Sequence, residues 1–169
     1  MHRNRGWIWF FVILTGLAAA AITINLLYSA SQRLTMERLH AAQNLWDRTG
    51  PKDYDLVIDK TIGPTTAGGD KTRDRITIQV RDGKGKSGTI NGQPLPERLL
   101  SQYDMAGWLS FVEEFVRQSE KPDAPRTFLS ADFDPHTGAL QRFRRSVRTT
   151  REWVDVAFQL TPVNPQAGR

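Results

Sequence analysis

A run without any charged side chain extends from Trp7 to Tyr28 and follows Arg3 and Arg5. A helix needs about 20 mostly apolar residues to cross a hydrocarbon core of roughly 30 Å, and this run is long enough. Aromatic residues stand at both of its ends, as membrane interfaces favour, and the positive-inside rule keeps the arginine-bearing tip in the cytoplasm. We therefore predict a cytoplasmic tip over residues 1–6, a transmembrane anchor over residues 7–28 and an extracytoplasmic location for the remaining chain.

A cleaved secretory signal is the alternative interpretation of this run. Signal peptides have an apolar stretch of about 7–15 residues and end at a small-x-small site. The run is longer, and its best cleavage site, Ser29-Ala30-Ser31, is a poor match. A single-pass signal anchor in the bacterial cytoplasmic membrane is therefore favoured, while cleavage stays open. The chain contains no cysteine, which excludes disulfides, a thiolate nucleophile and a zinc-thiolate centre.

The segment after the anchor has apolar and charged residues at helical spacing. Thr49-Gly50-Pro51 ends this pattern, because glycine commonly follows a helix and proline cannot continue one. We interpret residues 29–48 as a stalk helix that packs against the domain through Trp46. An extracytoplasmic domain then covers residues 49–162, and the proline-bearing tail over residues 163–169 is predicted to be disordered.

Beyond the stalk, apolar residues recur at every second position, which is typical of β-strands. One helix interrupts them: Asp104 is a predicted N-cap, and an apolar stripe follows from Met105 to Val116. The pattern predicts an α+β fold in which an antiparallel sheet of five to six strands packs on one or two helices. The predicted strands are Asp53–Ile62, Arg75–Arg81, Ser87–Asn91, Thr127–Phe133, Ala139–Arg148 and Trp153–Leu160.

Asp132, Asp134 and His136 form a compact cluster of side chains that commonly bind metals. On an extended strand the two carboxylates share a face, so both can approach one cation. However, Asp134 opens a turn, where an aspartate normally accepts hydrogen bonds from nearby backbone amides. We therefore predict no metal site, keep these three residues as weak candidates, and expect no cofactor.

The sequence has none of the familiar enzyme motifs. It contains neither a nucleophile elbow nor a zinc-protease helix, and Glu113 and Glu114 are adjacent on a helix, so they point in different directions. The stretch Gly83-Lys84-Gly85-Lys86 lacks the helix starting at a Ser or Thr that follows in a phosphate-binding loop, so a hairpin is the better interpretation. We predict that the protein is not an enzyme.

The best candidate for a binding surface is the strand that contains Arg142, Arg144 and Arg148. Alternation places these three side chains on one face. Guanidinium groups pair well with carboxylates and phosphates, which wall polymers and lipid headgroups display. The competing and favoured interpretation is that aspartates of neighbouring strands neutralise this face. The candidate partners are Asp55, Asp59, Asp132 and Asp155.

Short motifs are spread over roughly residues 45–162. They are Trp46 followed by Tyr54, Val80-Arg81-Asp82-Gly83-Lys84, the helix from Trp108 to Val116, and Phe133-Asp134-Pro135-His136-Thr137-Gly138. In these motifs the outer domain resembles a bacterial envelope family known only as a domain of unknown function, whose members are often lipoproteins. The resemblance implies an extracytoplasmic α+β domain and brings no activity or site residues with it. This chain departs from the lipoprotein members because it has no cysteine for lipid attachment.

The leading hypothesis is a membrane-anchored, non-enzymatic module that binds an envelope protein or an anionic wall or lipid component. Nucleic acid is not an expected partner, because the domain is predicted to lie outside the cytoplasm. One alternative is a metal-dependent or hydrolytic enzyme around Asp132, Asp134 and His136. The other is a small accessory subunit of a membrane complex that acts through its anchor helix.

Overall fold

The computed structural model describes residues 12–17, 20, 33–63, 69–150 and 152–163. Residues 12–17 and 20 are helical, but among the described residues no helix is both long and apolar enough to span a membrane. The rest of the predicted anchor lies outside the described residues, as do the cytoplasmic tip, residues 29–32 and most of the predicted tail. The chain divides into two compact units, Met1–Arg33 and Leu34–Arg169, and the second carries the sheet.

The second unit contains three helices and seven strands among its described residues. In chain order they are α1 (Met36–Thr49), β1 (Tyr54–Ile62), β2 (Thr72–Arg81), β3 (Lys84–Ile90), β4 (Gln93–Pro94), α2 (Glu97–Tyr103), α3 (Met105–Ser119), β5 (Thr127–Phe133), β6 (Leu140–Val147) and β7 (Trp153–Pro162). The strands form one sheet in the order β4-β3-β2-β1-β7-β6-β5. Every neighbouring pair is antiparallel.

The predicted α+β class and antiparallel sheet are confirmed, but the predicted count of five to six strands is wrong. The added strand, β4, is only two residues long, and pairing of Thr89 with Pro94 and Ile90 with Gln93 defines it. Two residues cannot show an alternating pattern, so the sequence gives no sign of this strand.

One face of the sheet is apolar and carries the helices. On β1 and β2 the buried residues stand at alternate positions, and they include Leu56, Ile58, Ile76 and Ile78. Burying one such side chain stabilises the fold by about 1.5–3 kcal/mol. The residues between them point to the opposite face, which no described helix covers and which we call the open face.

Helix α1 packs against the domain and contributes side chains to its core. Leu39 is fully buried, and Trp46 packs edge-on against Tyr54 with 5.5 Å between ring centroids. The helix begins at Met36, after Thr35 caps it by accepting a hydrogen bond from the Arg38 N–H at 3.3 Å. An amphipathic helix buries its apolar side, and the buried residues of α1 are Leu39, Ala42 and Trp46.

Helix α2 was not predicted, because Pro94 and Pro96 made the segment resemble a loop. Pro96 instead precedes the first helical residue, where a missing N–H costs little. Leu100 is buried, a side chain on Gly85 would collide with Leu100, and one on Gly88 would collide with Ile78. The glycine-rich sequence of β3 therefore lets α2 lie close to the sheet.

Candidate functional site

A groove with a volume of about 560 Å³ crosses the open face of the sheet. Strand register places its residues together: Asp59 pairs with Arg75 of β2 and with Ala157 of β7, which in turn pairs with Arg142 of β6. The groove therefore spans four neighbouring strands. Its lining residues are Asp59, Thr61, Lys71, Arg73, Arg75, Arg142, Trp153, Asp155 and Ala157.

The strongest polar contact in the groove joins Arg142 to Asp155. The Arg142 guanidinium donates from Nε to Oδ1 at 2.9 Å and from Nη2 to Oδ2 at 2.6 Å. Arg144 approaches the same carboxylate, with its Nε 3.4 Å from Oδ2. The hydrogen bond from Arg142 lowers the pKa of Asp155, and the same bond raises the pKa of Arg142. Both groups are therefore charged at neutral pH.

The three arginines of the predicted basic strand do not form one ridge. Arg142 and Arg144 lie on the open face and share Asp155, which was among the candidate partners. Strand β6 ends at Val147, so Arg148 lies in the following turn, where its backbone N–H donates to the Arg126 carbonyl. The structure therefore brings two of the three residues together.

The groove also contains cations that the sequence analysis did not single out. Lys71, Arg73 and Arg75 lie at or near the start of β2. Arg75 pairs only loosely with Asp59, with 4.0 Å between Nε and Oδ1, and both side chains are well exposed. Such a pair is worth roughly 0–1 kcal/mol. No ion pair of Arg73 is found among the described residues, so these cations are available to an anionic ligand.

Trp153 supplies an aromatic surface beside these cations. The Lys71 ammonium lies 5.6 Å from the centroid of its ring. The indole packs directly over Gly63, where a side chain would collide with it, and the Gly63 N–H donates to the Trp153 carbonyl at 2.8 Å. A glycine at the end of β1 thus holds the tryptophan at one end of the groove.

The charges of the groove are unbalanced. Four cations, Lys71, Arg73, Arg75 and Arg142, line it together with the two carboxylates Asp59 and Asp155. The described histidines, His40 and His136, are exposed and lie outside the groove. The arrangement therefore suits electrostatic binding of an anion rather than proton transfer near neutral pH.

The weak metal candidates are placed as parts of a strand and a turn. The Asp134 carboxylate accepts hydrogen bonds from the N–H groups of His136 and Thr137, at 2.9 and 2.8 Å, and these bonds lower its pKa. Asp132 pairs with Arg142 across β5 and β6. No group of three potential metal ligands occurs within the described part of the chain. Asp134 therefore stabilises the turn, as its position in the sequence indicates.

Comparison with known proteins does not add a function to this geometry. No model of a protein family matches the chain, and no match to a curated protein is found.

Proposed function

We propose that this protein is a membrane-anchored, non-enzymatic module of the bacterial cell envelope whose outer domain binds an anionic envelope polymer. The observation that carries the proposal is the cationic groove on the open face, with Trp153 beside Lys71, Arg73 and Arg75. Arginine forks bind carboxylates and phosphates, and an indole gives a sugar ring an apolar surface to pack on. An anionic glycan offers both an acidic group for the arginines and a sugar ring for the indole.

The proposed anchor is the uncharged run over residues 7–28, with Arg3 and Arg5 on its cytoplasmic side. It would hold the domain near the wall and lipid surface, where anionic polymers are concentrated. The groove extends across four neighbouring strands of the sheet. This shape fits an extended polymer that lies across the sheet.

Partner recognition by strand addition has less support from the edges of the sheet. At one edge, the Leu34 N–H donates to the Leu129 carbonyl of β5 at 3.0 Å. At the other edge, β4 has only two residues, and such a short strand is a poor template for pairing. The groove is therefore the better candidate for recognition.

The test is binding of the full chain, held in phosphatidylcholine nanodiscs, to polygalacturonate, with neutral dextran as the comparison. We expect saturable binding of polygalacturonate that weakens with salt, and no binding of dextran. Changing Arg73 and Arg75 to Ser should weaken binding by about tenfold, since two charged contacts are lost. The matched control changes Lys84 and Lys86 to Ser, which removes the same charge outside the groove.

A second variant separates ring stacking from charge. Trp153→Leu should weaken binding of polygalacturonate but not of linear polyphosphate, which has no ring to pack on the indole. Equal losses in the groove variant and the lysine control would contradict the proposal, because binding would then follow net charge alone.

A further inference from the structure

A second cavity, with a volume of about 290 Å³, lies on the helix-bearing face of the sheet. Its apolar wall combines side chains of α3 with those of β1, β6 and β7. The residues that matter here are Trp108, Phe111, Phe115, Phe143, Val154 and Val156. Phe111 is 49% exposed, although it belongs to a helix whose other apolar residues form the core. The apolar surface of α3 therefore extends beyond the part that is buried in the core.

The aromatic side chains of this wall hold one another in place. Phe111 lies edge-on to both Trp108 and Phe115, with centroid distances of 5.4 and 4.7 Å. Phe115 is stacked on Phe143 at 5.9 Å. Edge-on and offset contacts of this kind are favourable, so the wall is preformed and gives an apolar ligand a fixed surface.

One polar atom of the wall lacks a partner. The indole Nε1 of Trp108 is buried and makes no hydrogen bond, while the side chain itself is only 4% exposed. Buried donors are nearly always paired in folded proteins. Trp108 lines the cavity through other atoms of its indole, since Nε1 itself has almost no accessible surface. This donor is therefore not a contact for a ligand in the cavity.

Two cations also line the cavity. Lys60 occupies a position on the core face of β1, between Ile58 and Ile62, and its ammonium is 4.0 Å from Asp74. Arg145 lies over the Phe115 ring at 5.0 Å, and its Nη1 is 3.7 Å from Glu152. Both ion pairs are long, and only one carboxylate, that of Glu152, belongs to the lining. The cavity thus combines an apolar wall with an excess of positive charge.

We propose that this cavity binds a small amphiphile with an apolar body and one carboxylate. The apolar body would lie against the aromatic wall, and the carboxylate would accept hydrogen bonds from Lys60 or Arg145. Ligand cavities usually measure about 300–1,000 Å³, so this one suits a ligand at the small end of that range. The cavity lies on the opposite face of the sheet from the groove. Its proposed ligand does not depend on the function proposed for the groove.

The experiment uses the full chain in phosphatidylcholine nanodiscs, with its tryptophans replaced by 5-fluorotryptophan and followed by fluorine NMR. The probe is 4-phenylbutanoate, and 4-phenylbutan-1-ol is its neutral counterpart. Trp108→Phe and Trp153→Phe assign the two relevant signals. We expect the Trp108 signal to move with saturation as the acid is added, while the Trp153 signal on the open face stays fixed. The alcohol should bind more weakly.

Matched variants test the role of charge. Arg145→Met should weaken binding of 4-phenylbutanoate by about threefold or more, as expected for a partly exposed charged contact. Arg126→Met makes the same charge change at an exposed residue outside both the cavity and the groove, and should leave the affinity unchanged. Circular dichroism melting of both variants verifies that they are folded.

Three results would overturn the proposal. The first is no saturable movement of the Trp108 signal. The second is equal affinity for the acid and the alcohol, which would make the cavity an apolar site without recognition of an anion. The third is movement of the Trp153 signal alone, which would place the ligand in the groove.

Discussion

The hydroxyl of Tyr54 accepts a hydrogen bond from the backbone N–H of Met105 at 3.2 Å, in the buried interior of the domain. Tyr54 is the first residue of β1, and Met105 is the first residue of α3. The first N–H groups of a helix have no partner within it. This one bond therefore satisfies a buried donor and joins the helix to the strand on which it packs.

Tyr54→Phe should destabilise the domain by about 1–3 kcal/mol, because it leaves the Met105 N–H buried without an acceptor. The free energy of unfolding in urea is the measurement. Tyr103→Phe is the matched control, since the Tyr103 hydroxyl has no hydrogen bond among the described residues, and its cost should stay below about 0.5 kcal/mol. Equal costs for the two variants would show that the Tyr54 hydroxyl has no special role.

The same tyrosine should make stability fall at alkaline pH. Burial raises the pKa of Tyr54 from 10.0 to about 12. Between these values the unfolded chain has lost the phenolic proton and the folded chain retains it, so unfolding becomes more favourable as pH rises. The contribution of Tyr54 to the free energy of unfolding is fully present below pH 10 and decreases by up to about 1.4 kcal/mol for each pH unit above it.

Comparison with Tyr54→Phe isolates this effect, because all other titrating groups are shared. The difference in unfolding free energy between the two proteins should shrink as the pH is raised from 10 to 12. A difference that stays constant over this range would show that Tyr54 is not protected from ionisation.

Asp104 is the N-cap of α3, and its negative charge destabilises the folded state. Its carboxylate accepts a hydrogen bond from the Gly107 N–H at 2.8 Å and caps α3, but burial raises its pKa. The folded state therefore holds the proton more tightly, and stability decreases as pH rises from the unfolded pKa through the folded one. Above the folded pKa, the ionised group carries this cost.

Two substitutions separate the cap from the charge. Asp104→Asn keeps an oxygen acceptor without the buried charge, so at pH 7 it should be at least as stable as the parent protein. Asp104→Ala removes the acceptor and should cost about 1 kcal/mol. Thermal unfolding at pH 7 measures the stability of both variants. If Asp104→Asn lost as much stability as Asp104→Ala, the charge itself would be required.

The elements of this fold with a clear local pattern were predictable from the sequence, and those defined by tertiary contacts were not. The alternation from Ile76 to Val80 identified β2, and Asp104 was correctly identified as a helix cap. Helix α2 was missed because prolines precede it, and its short sequence is held by contact with β3. The sequence indicated Trp46 as the contact of α1 with the domain but not the burial of Leu39, because amphipathicity does not name the surface that a helix covers.

The groove shows the same limit at the level of a site. The basic character of Arg142 and Arg144 was visible in the sequence. The sequence did not show that these two arginines lie in one groove with Arg73 and Arg75, because that depends on β1 and β7 being neighbours in the sheet. Strand order between distant hairpins leaves no periodic signal in a single sequence. Trp153 was predicted only as the start of a strand for the same reason.

Asp155 should weaken ligand binding in the groove, because it occupies the guanidinium groups of Arg142 and Arg144. Asp155→Asn removes that competing carboxylate, so binding of polygalacturonate should become about threefold tighter, while loss of the partly exposed ion pair should cost roughly 1 kcal/mol or less of stability. Asp123→Asn makes the same charge change in the exposed connector after α3 and is the matched control. Titration of both variants in nanodiscs at low salt gives the comparison. If the two substitutions strengthen binding equally, the gain comes from net charge, and the two arginines are not part of the binding surface.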